Sequence, residues 1–360
     1  MSLSGNKGEW SEVYALFKIL SDRKLFAGDK NLNRLDELFF PIVRIFRDEV
    51  VGTYEYSYES ELVVIKGIDE VIKIPIFEFQ KNALYLLNKI KESKTSAFQI
   101  KEIEDFMKLF QCFSIKAQSS VKSDIRIVLH DSRTGTDPEL GFSIKSQLGN
   151  ASTLLNAGST TNFVYKINNL ILTDNEIFEI NSINSRSKIK DRIEKIYEKN
   201  GSLEFLHTES PIFGNNLTLI DSALPIILSE FVILYFTSNV SNTCDLVDKI
   251  TERNPIKYDL DTNHPFYSYK IKRFLTDVAL GMMPSLVWTG NLDATGGYLI
   301  VKESGEIICY HIYNRNSFED YLIFNTKLET ASSTRHNFGT IYRESDVLKF
   351  KLNLQIRFVR

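Results

Sequence analysis

A chain of 360 residues, 43% hydrophobic and 25% charged, has the composition of an ordinary globular protein and is long enough to bury a substantial core in one large domain or two. Its formal charge of −3, from 43 basic and 46 acidic residues, excludes a nonspecific polycation but leaves room for a nucleic-acid reader whose lysines and arginines gather on one face. Cys112, Cys244 and Cys309 are too widely spaced for a zinc motif or a disulfide framework, which points to a reducing cytoplasmic setting. Lys7, Glu9 and Glu12 interrupt the first apolar residues, so no signal peptide is read there. The longest apolar run, 223–236, is broken by Pro225 and by Ser229-Glu230 and reads as a buried helix rather than a membrane span.

In chain order, GNKGEWSEVYALFKILSD predicts a helix over 9–20. Trp10, Val13, Tyr14, Phe17 and Leu20 form one apolar stripe, widened by Leu16 and Ile19. Glu12 stands on the flank of that stripe, where a carboxylate must be solvated, paired or bound to a metal. It is either a helix-start acid favoured by the dipole or a ligand; Glu9, nearer the end, is the weaker candidate. Residues 25–118 read as a long insertion with a helix at 31–40, strands at 52–57 and 61–66, and helices at 76–93 and 98–111.

The stretch from Asp124 to Ser146 reads as two strands around a turn. Val121, Ile125, Ile127 and Leu129 recur with period two, SRTGTDPE is turn chemistry, and FSI follows Gly141 as the second run. Folding about the turn brings Asp124 beside Ser143 and Lys145. A carboxylate able to hold a divalent cation, next to a lysine, suits phosphodiester hydrolysis, although the same pair also occurs in purely structural sheets. A serine nucleophile at Ser143 with Lys145 as base fits less well, because Asp124 and the polar run that follows suit a metal-phosphate site.

That following run is rich in Ser, Thr and Asn. Leu154 and Leu155 anchor a short helix in this reading, and Phe163, Tyr165 and Ile167 alternate as the next strand. Gln147, Asn156, Thr161 and Asn162 are candidates to donate to DNA, or else caps and turn residues. Residues 185–199 form an amphipathic helix whose Arg186, Lys188, Lys190 and Arg192 either track phosphates or make a solvated face diluted by Asp191, Glu194 and Glu198. Helices follow at 217–236, 242–252 and 265–281, then a hairpin in DATGGYLIVKESGEIICYHIY. There Gly296-Gly297 permits a sharp turn or a close backbone approach. The final run, KFKLNLQIRFVR, alternates as a half-buried strand, with Lys349, Lys351, Asn353, Gln355 and Arg357 on its polar face. Asn353, Gln355 and Arg357 have the side chains that pair with base edges, or else this face is simply a wet strand exterior; Arg335 is a loop candidate of the same kind.

Asp124, its hairpin and Lys145 resemble the PD-(D/E)XK nuclease pattern. The longer run GFSIKSQLGNASTLLNAGSTTNFVYKI is similar to the HpaII family of type II restriction endonucleases. The likeness extends from GNKGEWSEVY to FLTDVALGM, DATGGYLIVKESGEIICYHIYNR, NTKLETASSTRHNFG and KLNLQIRF. It implies an α+β fold: a PD-(D/E)XK nuclease core, a mixed sheet flanked by helices, in a domain at 1–183 that includes the insertion, followed by a recognition and dimerisation part at 184–360. It also implies Mg²⁺-dependent hydrolysis of double-stranded DNA at a short palindrome, CCGG by the family's name. A homodimer would match the two-fold symmetry of that site. Asp124 and Glu12 would hold the metal and Lys145 would position water. Two departures stand out: Ser123 where proline often precedes the aspartate, and Ser143 in place of the acid two before the lysine. The second keeps open another class of reading, a catalytically inactive PD-(D/E)XK-like DNA-binding protein.

Overall fold

The first helix, α1 (Lys7–Asp22), begins at a reciprocal cap. Asn6 Oδ1 accepts from the Glu9 amide at 3.1 Å, and Glu9 Oε2 accepts from the Asn6 amide at 2.8 Å. Glu9 is thereby occupied in the cap, and the stripe from Trp10 to Leu20 is buried as its spacing requires. The computed structural model describes residues 3–68, 70–116, 123–132 and 134–359; Val121, expected in the first hairpin strand, lies outside them. After α1 come β1 (Lys24–Gly28), β2 (Arg34–Glu49), β3 (Gly52–Glu59), β4 (Leu62–Lys66), β5 (Val71–Pro75), α2 (Ile76–Glu92), α3 (Lys101–Leu109), β6 (Ile125–Leu129) and β7 (Glu139–Ser146). The helix expected at 31–40 is instead the start of β2. The run is drawn into the sheet by its pairing with β1, while the later residues of β2 pair with β3, and the Pro41 carbonyl accepts from His130 N at 2.9 Å.

The chain continues through β8 (Thr153–Leu155), β9 (Asn162–Asn168), α4 (Asp174–Ser182), α5 (Lys188–Glu198), β10 (Ser202–Thr208), α6 (Pro211–Ile220), α7 (Leu224–Thr237), α8 (Thr243–Arg253) and α9 (Phe266–Leu280). It ends with β11 (Gly297–Val301), β12 (Ile307–His311), α10 (Arg315–Phe324), β13 (Thr326–Leu328), α11 (Ser333–His336), β14 (Ile341–Glu344), β15 (Val347–Asn353) and β16 (Ile356–Phe358). Leu154 and Leu155 lie in a strand, not a helix, because β8 pairs with β16. The final run is two strands rather than one: β15 and β16 enter different sheets on either side of Leu354-Gln355.

Contacts divide this α+β chain into two units, Met1–Ser152 with Leu292–Tyr321, and Thr153–Asn291 with Leu322–Val359. The boundary expected at 183/184 therefore falls elsewhere. In the first unit a nine-stranded sheet runs β1-β12-β11-β7-β6-β2-β3-β4-β5, and β1 also pairs with β2. Residues 25–118 are not an appendage, since they supply β1 to β5 of this same sheet. They also supply α2 and α3, whose Phe79 and Phe106 pack with Phe17 of α1 and with Phe110 at ring separations of 5.3–5.9 Å. Beside β7 stands β11, parallel, with Phe142 opposite Gly297 and Ser146 opposite Val301. Gly297 is required there: its φ is +106°, and a Cβ would lie 2.1 Å from the Tyr310 carbonyl oxygen.

In the second unit, the strand expected to follow the hairpin, 163–168, lies within β9 and belongs to a four-stranded sheet, β10-β9-β15-β14. A three-stranded sheet, β13-β16-β8, is the second. The apolar run 223–236 forms most of α7, with Leu224, Ile227, Leu228, Phe231 and Val232 buried. Among the described residues no single helix is long and apolar enough to cross a membrane; α6 and α7 qualify only together and are bent by 109°.

Candidate active site

Asp124 lies immediately before β6, at the point where the hairpin strands pair. Its amide donates to the Phe142 carbonyl at 2.8 Å, and its carboxylate Oδ2 accepts from the Ile144 amide at 2.7 Å and from Ser143 Oγ at 3.1 Å. The expected juxtaposition of Asp124 with Ser143 is therefore present. Ser143 is buried, and its hydroxyl is donated to the aspartate. Both bonds fall on Oδ2, so Oδ1 is open among the described residues. Lys145 follows on the same face of β7, its Nζ 5.2 Å from the centroid of the Tyr298 ring on the neighbouring strand. Burial pushes its ammonium pKa down, against the pull of Asp124 and Glu12.

Glu12 reaches this group from α1. Helix and strand are tied by Ser146 Oγ donating to Ser11 Oγ at 2.8 Å, with Ser11 Oγ donating in turn to the Lys7 carbonyl at 2.6 Å. Glu12 Oε2 is buried and has no hydrogen-bond partner among the described residues. Its pKa is raised to about 7, first by burial and then by the charge of Asp124, with Lys116, Arg47 and Lys145 opposing. The acid in the first turn of α1, where the dipole acts, is Glu9.

Sequence reasoning missed the cations that face Glu12 from the segment read as an insertion. Arg47 and Glu49 form a buried pair at 2.9 Å; Arg47 also donates to the carbonyls of Ser114 at 2.6 Å and Ile115 at 3.1 Å. Ser114 Oγ donates to Glu49 Oε2 at 2.6 Å. This clamp fixes the segment that carries Lys116. A signal was present: Ile45, Arg47 and Glu49 alternate onto the buried face of β2, and two charges on a core-facing register demand a polar partner inside.

The profile of the HpaII restriction endonuclease family matches residues 6–358. The type II restriction enzyme HpaII of Haemophilus parainfluenzae is 51% identical over 361 residues, covering 99% of each chain. The chain belongs to the HpaII restriction endonuclease family. Its activity is that of a type II restriction endonuclease. No solved structure matches it.

The remaining residues singled out for DNA contact in this HpaII-family chain fall into two groups. Thr161, Asn162 and Asn353 are interior. Asn353 Nδ2 donates to Asn162 Oδ1 at 2.7 Å, to the Gly158 carbonyl at 2.8 Å and to Thr161 Oγ1 at 3.1 Å. Asn162 Nδ2 donates to Glu209 at 2.7 Å and to the His336 carbonyl at 2.9 Å. These two amides and one hydroxyl lock β9 to β15. Arg357 is paired with Glu329 at 2.8 Å, Lys351 with Glu209 at 2.6 Å, and Lys349 with Glu344. In the second group, Asn156 and Arg335 are exposed and Gln147 and Gln355 half-buried, with side chains available to a ligand. Arg192, expected on a polar face either solvated or tracking phosphates, is instead buried and donates to the carbonyls of Gly339, Asn181 and Ile183.

Proposed function

We propose that the protein hydrolyses double-stranded DNA at a short palindromic site, CCGG by the family resemblance, and that it does so as a homodimer. In this reading Asp124, Glu12 and Lys145 carry the chemistry on a PD-(D/E)XK-type arrangement of α1, β6, β7 and β11. What carries the reading is one observation: an aspartate fixed by the opposite strand of its own hairpin shares an electrostatic environment with a glutamate oxygen that is buried and has no donor.

Such a site fits a divalent cation. Burying a carboxylate oxygen without a partner costs several kcal/mol, roughly, or keeps the group protonated, and a hard cation removes both penalties. Among the described residues no group of three or more acidic, histidine or cysteine side chains gathers around an ion. Two carboxylates suit Mg²⁺, which commonly takes one or two from the protein and completes its shell with water and substrate phosphate. When bound, Mg²⁺ would activate water and offset charge on the leaving oxygen. Asp124 would offer Oδ1 while Ser143 and Ile144 hold Oδ2, and Glu12 would offer Oε2. Lys145 would orient the attacking water and the phosphate, its stem held against Tyr298. Ser143 thus replaces the usual acid without loss, because α1 supplies the second carboxylate.

The test is incubation of the purified protein with phage DNA and Mg²⁺. Discrete fragments that disappear with a chelator are expected. A protein that binds the duplex tightly yet leaves it intact at every Mg²⁺ concentration would be an inactive relative, and the reading would fail.

A further inference from the structure

The second unit contains a cavity of about 430 Å³ whose lining comes from three separate stretches of chain: the start of α5, the end of α7 with the residues that follow it, and the segment leading into α11 with that helix's first two residues. Arg186, Lys188 and Lys190 line it, together with Ser332, Ser333 and Thr334, and none of its lining residues is acidic. In a chain with a formal charge of −3, three cations converging on hydroxyl groups without a carboxylate is a local reversal of sign. Arg186 is exposed and Lys188 half-buried, and neither makes an ion pair among the described residues. Lys190 is less free, with Asn239 Oδ1 at 3.2 Å and Glu194 at 3.9 Å. The nearby Asp191 is turned back onto Ser185 and onto Ser187 Oγ, the latter at 3.0 Å. Ser187, at the N-cap of α5, makes no side-chain capping hydrogen bond; the Lys188 amide donates to the Ser185 carbonyl at 3.3 Å and Asp191 stands in the first turn, so the N-terminus of this 11-residue helix is only partly satisfied beside the same cations.

We propose that this cavity binds a backbone phosphate of the DNA duplex, through Arg186 and Lys188 with the α5 N-terminus and the 332–334 hydroxyls. The chemistry favours phosphate over a base edge. Arginine, lysine, serine, threonine and helix N-termini are the usual phosphate donors. Arginine and lysine also pair with the O6/N7 edge of guanine, but the hydroxyls that surround them here are the company they keep at phosphates. The inference rests on the reading of the protein as a DNA endonuclease and adds a contact far in sequence from the hairpin. It supplies affinity and positioning, not base choice.

The experiment compares wild type with Arg186→Ala/Lys188→Ala, titrating cognate and scrambled duplexes without Mg²⁺ at several salt concentrations between about 50 and 200 mM. Loss of one phosphate contact per protomer should lower the slope of log affinity against log salt by about one unit for each protomer on the duplex, about two for the homodimer, equally for both duplexes. The Mg²⁺-dependent kcat at saturating DNA should be unchanged while KM rises, and the melting temperature should stay with wild type. An unchanged slope overturns the proposal. So does an equal fall in Lys101→Ala/Lys108→Ala on α3, which would show an effect of net charge alone. Stabilisation by millimolar inorganic phosphate that is lost in the double variant while its DNA slope is unchanged would assign the cavity to a free anion. If wild type neither binds nor cuts duplex DNA, it is the endonuclease reading that falls.

Discussion

β7 and β15 both carry polar side chains on one face, and the protein uses them in opposite ways. On β7, Ser143 fixes Asp124 from one side, which leaves Asp124 Oδ1 open beside Lys145, and Glu12 Oε2 joins them unpaired. On β15, Lys349 and Lys351 are neutralised by glutamates, and Asn353 spends both amide hydrogens on three acceptors of its own unit. Asn353 Oδ1 also lacks a donor, but it is a neutral amide oxygen, far cheaper to bury than a carboxylate. Polar residues that a fold satisfies internally are scaffold; a charged oxygen left bare marks the place where something else must bind.

The sharpest break of this comparison comes at Asp124. Asp124→Asn keeps the atoms that meet Ile144 and Ser143 while removing the charge. Cleavage should fall by at least about a thousandfold, the upper range for deleting one strong electrostatic contact, and the melting temperature should hardly move. Lys145→Ala should fall comparably. Near-normal turnover in either variant would take the hairpin out of the mechanism.

Glu12→Gln separates function from stability. The cleavage rate should drop at least about a hundredfold. The metal-free fold, by contrast, should become more tolerant of alkali. In wild type the folded-state pKa is raised from 4.5 to about 7, so the protonated form is the one the fold favours. The contribution is fully present below pH 4.5. It is lost as pH rises toward 7, because the unfolded side chain ionises first. Over that window metal-free wild type should lose about 1–3 kcal/mol that the Gln variant keeps. Equal pH profiles for the two proteins in chelator, by thermal or urea melting, would mean that Glu12 is solvated and is no ligand.

The hairpin was legible because its logic is local: period two, turn residues and a short reach put Asp124 beside Ser143 without knowledge of the rest. α1 was legible for the same reason, down to Glu12 on its flank. The partner of β7 was not, since β11 arrives from far along the chain and displaces the nearer 163–168 run into another sheet. Alternation in the terminal run correctly marked Phe350, Leu352, Leu354, Ile356 and Phe358 as buried. It could not tell whether the other face meets solvent or a neighbouring strand with acids on it. Asn353 fell on the wrong side of that ambiguity, and Arg192 did likewise on α5.

Asn353→Ala should therefore act on folding. Removing its amide leaves Asn162, Thr161 and the Gly158 carbonyl short of a donor, at a cost of about 2–3 kcal/mol in urea unfolding. The folded fraction should still distinguish cognate from scrambled duplex as wild type does. A selective loss of cognate binding at unchanged stability would show that Asn353 turns outward on DNA.

Gln355 is the one member of that polar face still free to read a base. It falls at the break between β15 and β16, half-buried, and its side chain has no partner among the described residues. Its amide offers a donor and an acceptor side by side; in a CCGG site the donor can meet guanine O6 or N7 and the acceptor the cytosine N4 amino group, and a single such contact is worth about 1–3 kcal/mol of discrimination. Gln355→Ala should weaken cognate binding by that amount, leave scrambled duplex nearly untouched and, because no charge is lost, leave the salt slope where it was. That last readout separates it from Arg186 and Lys188, whose loss should tilt the slope on every sequence. If Gln355→Ala binds both duplexes as wild type does, the terminal strands are scaffold throughout, and base reading passes to the exposed Arg335 and Asn156.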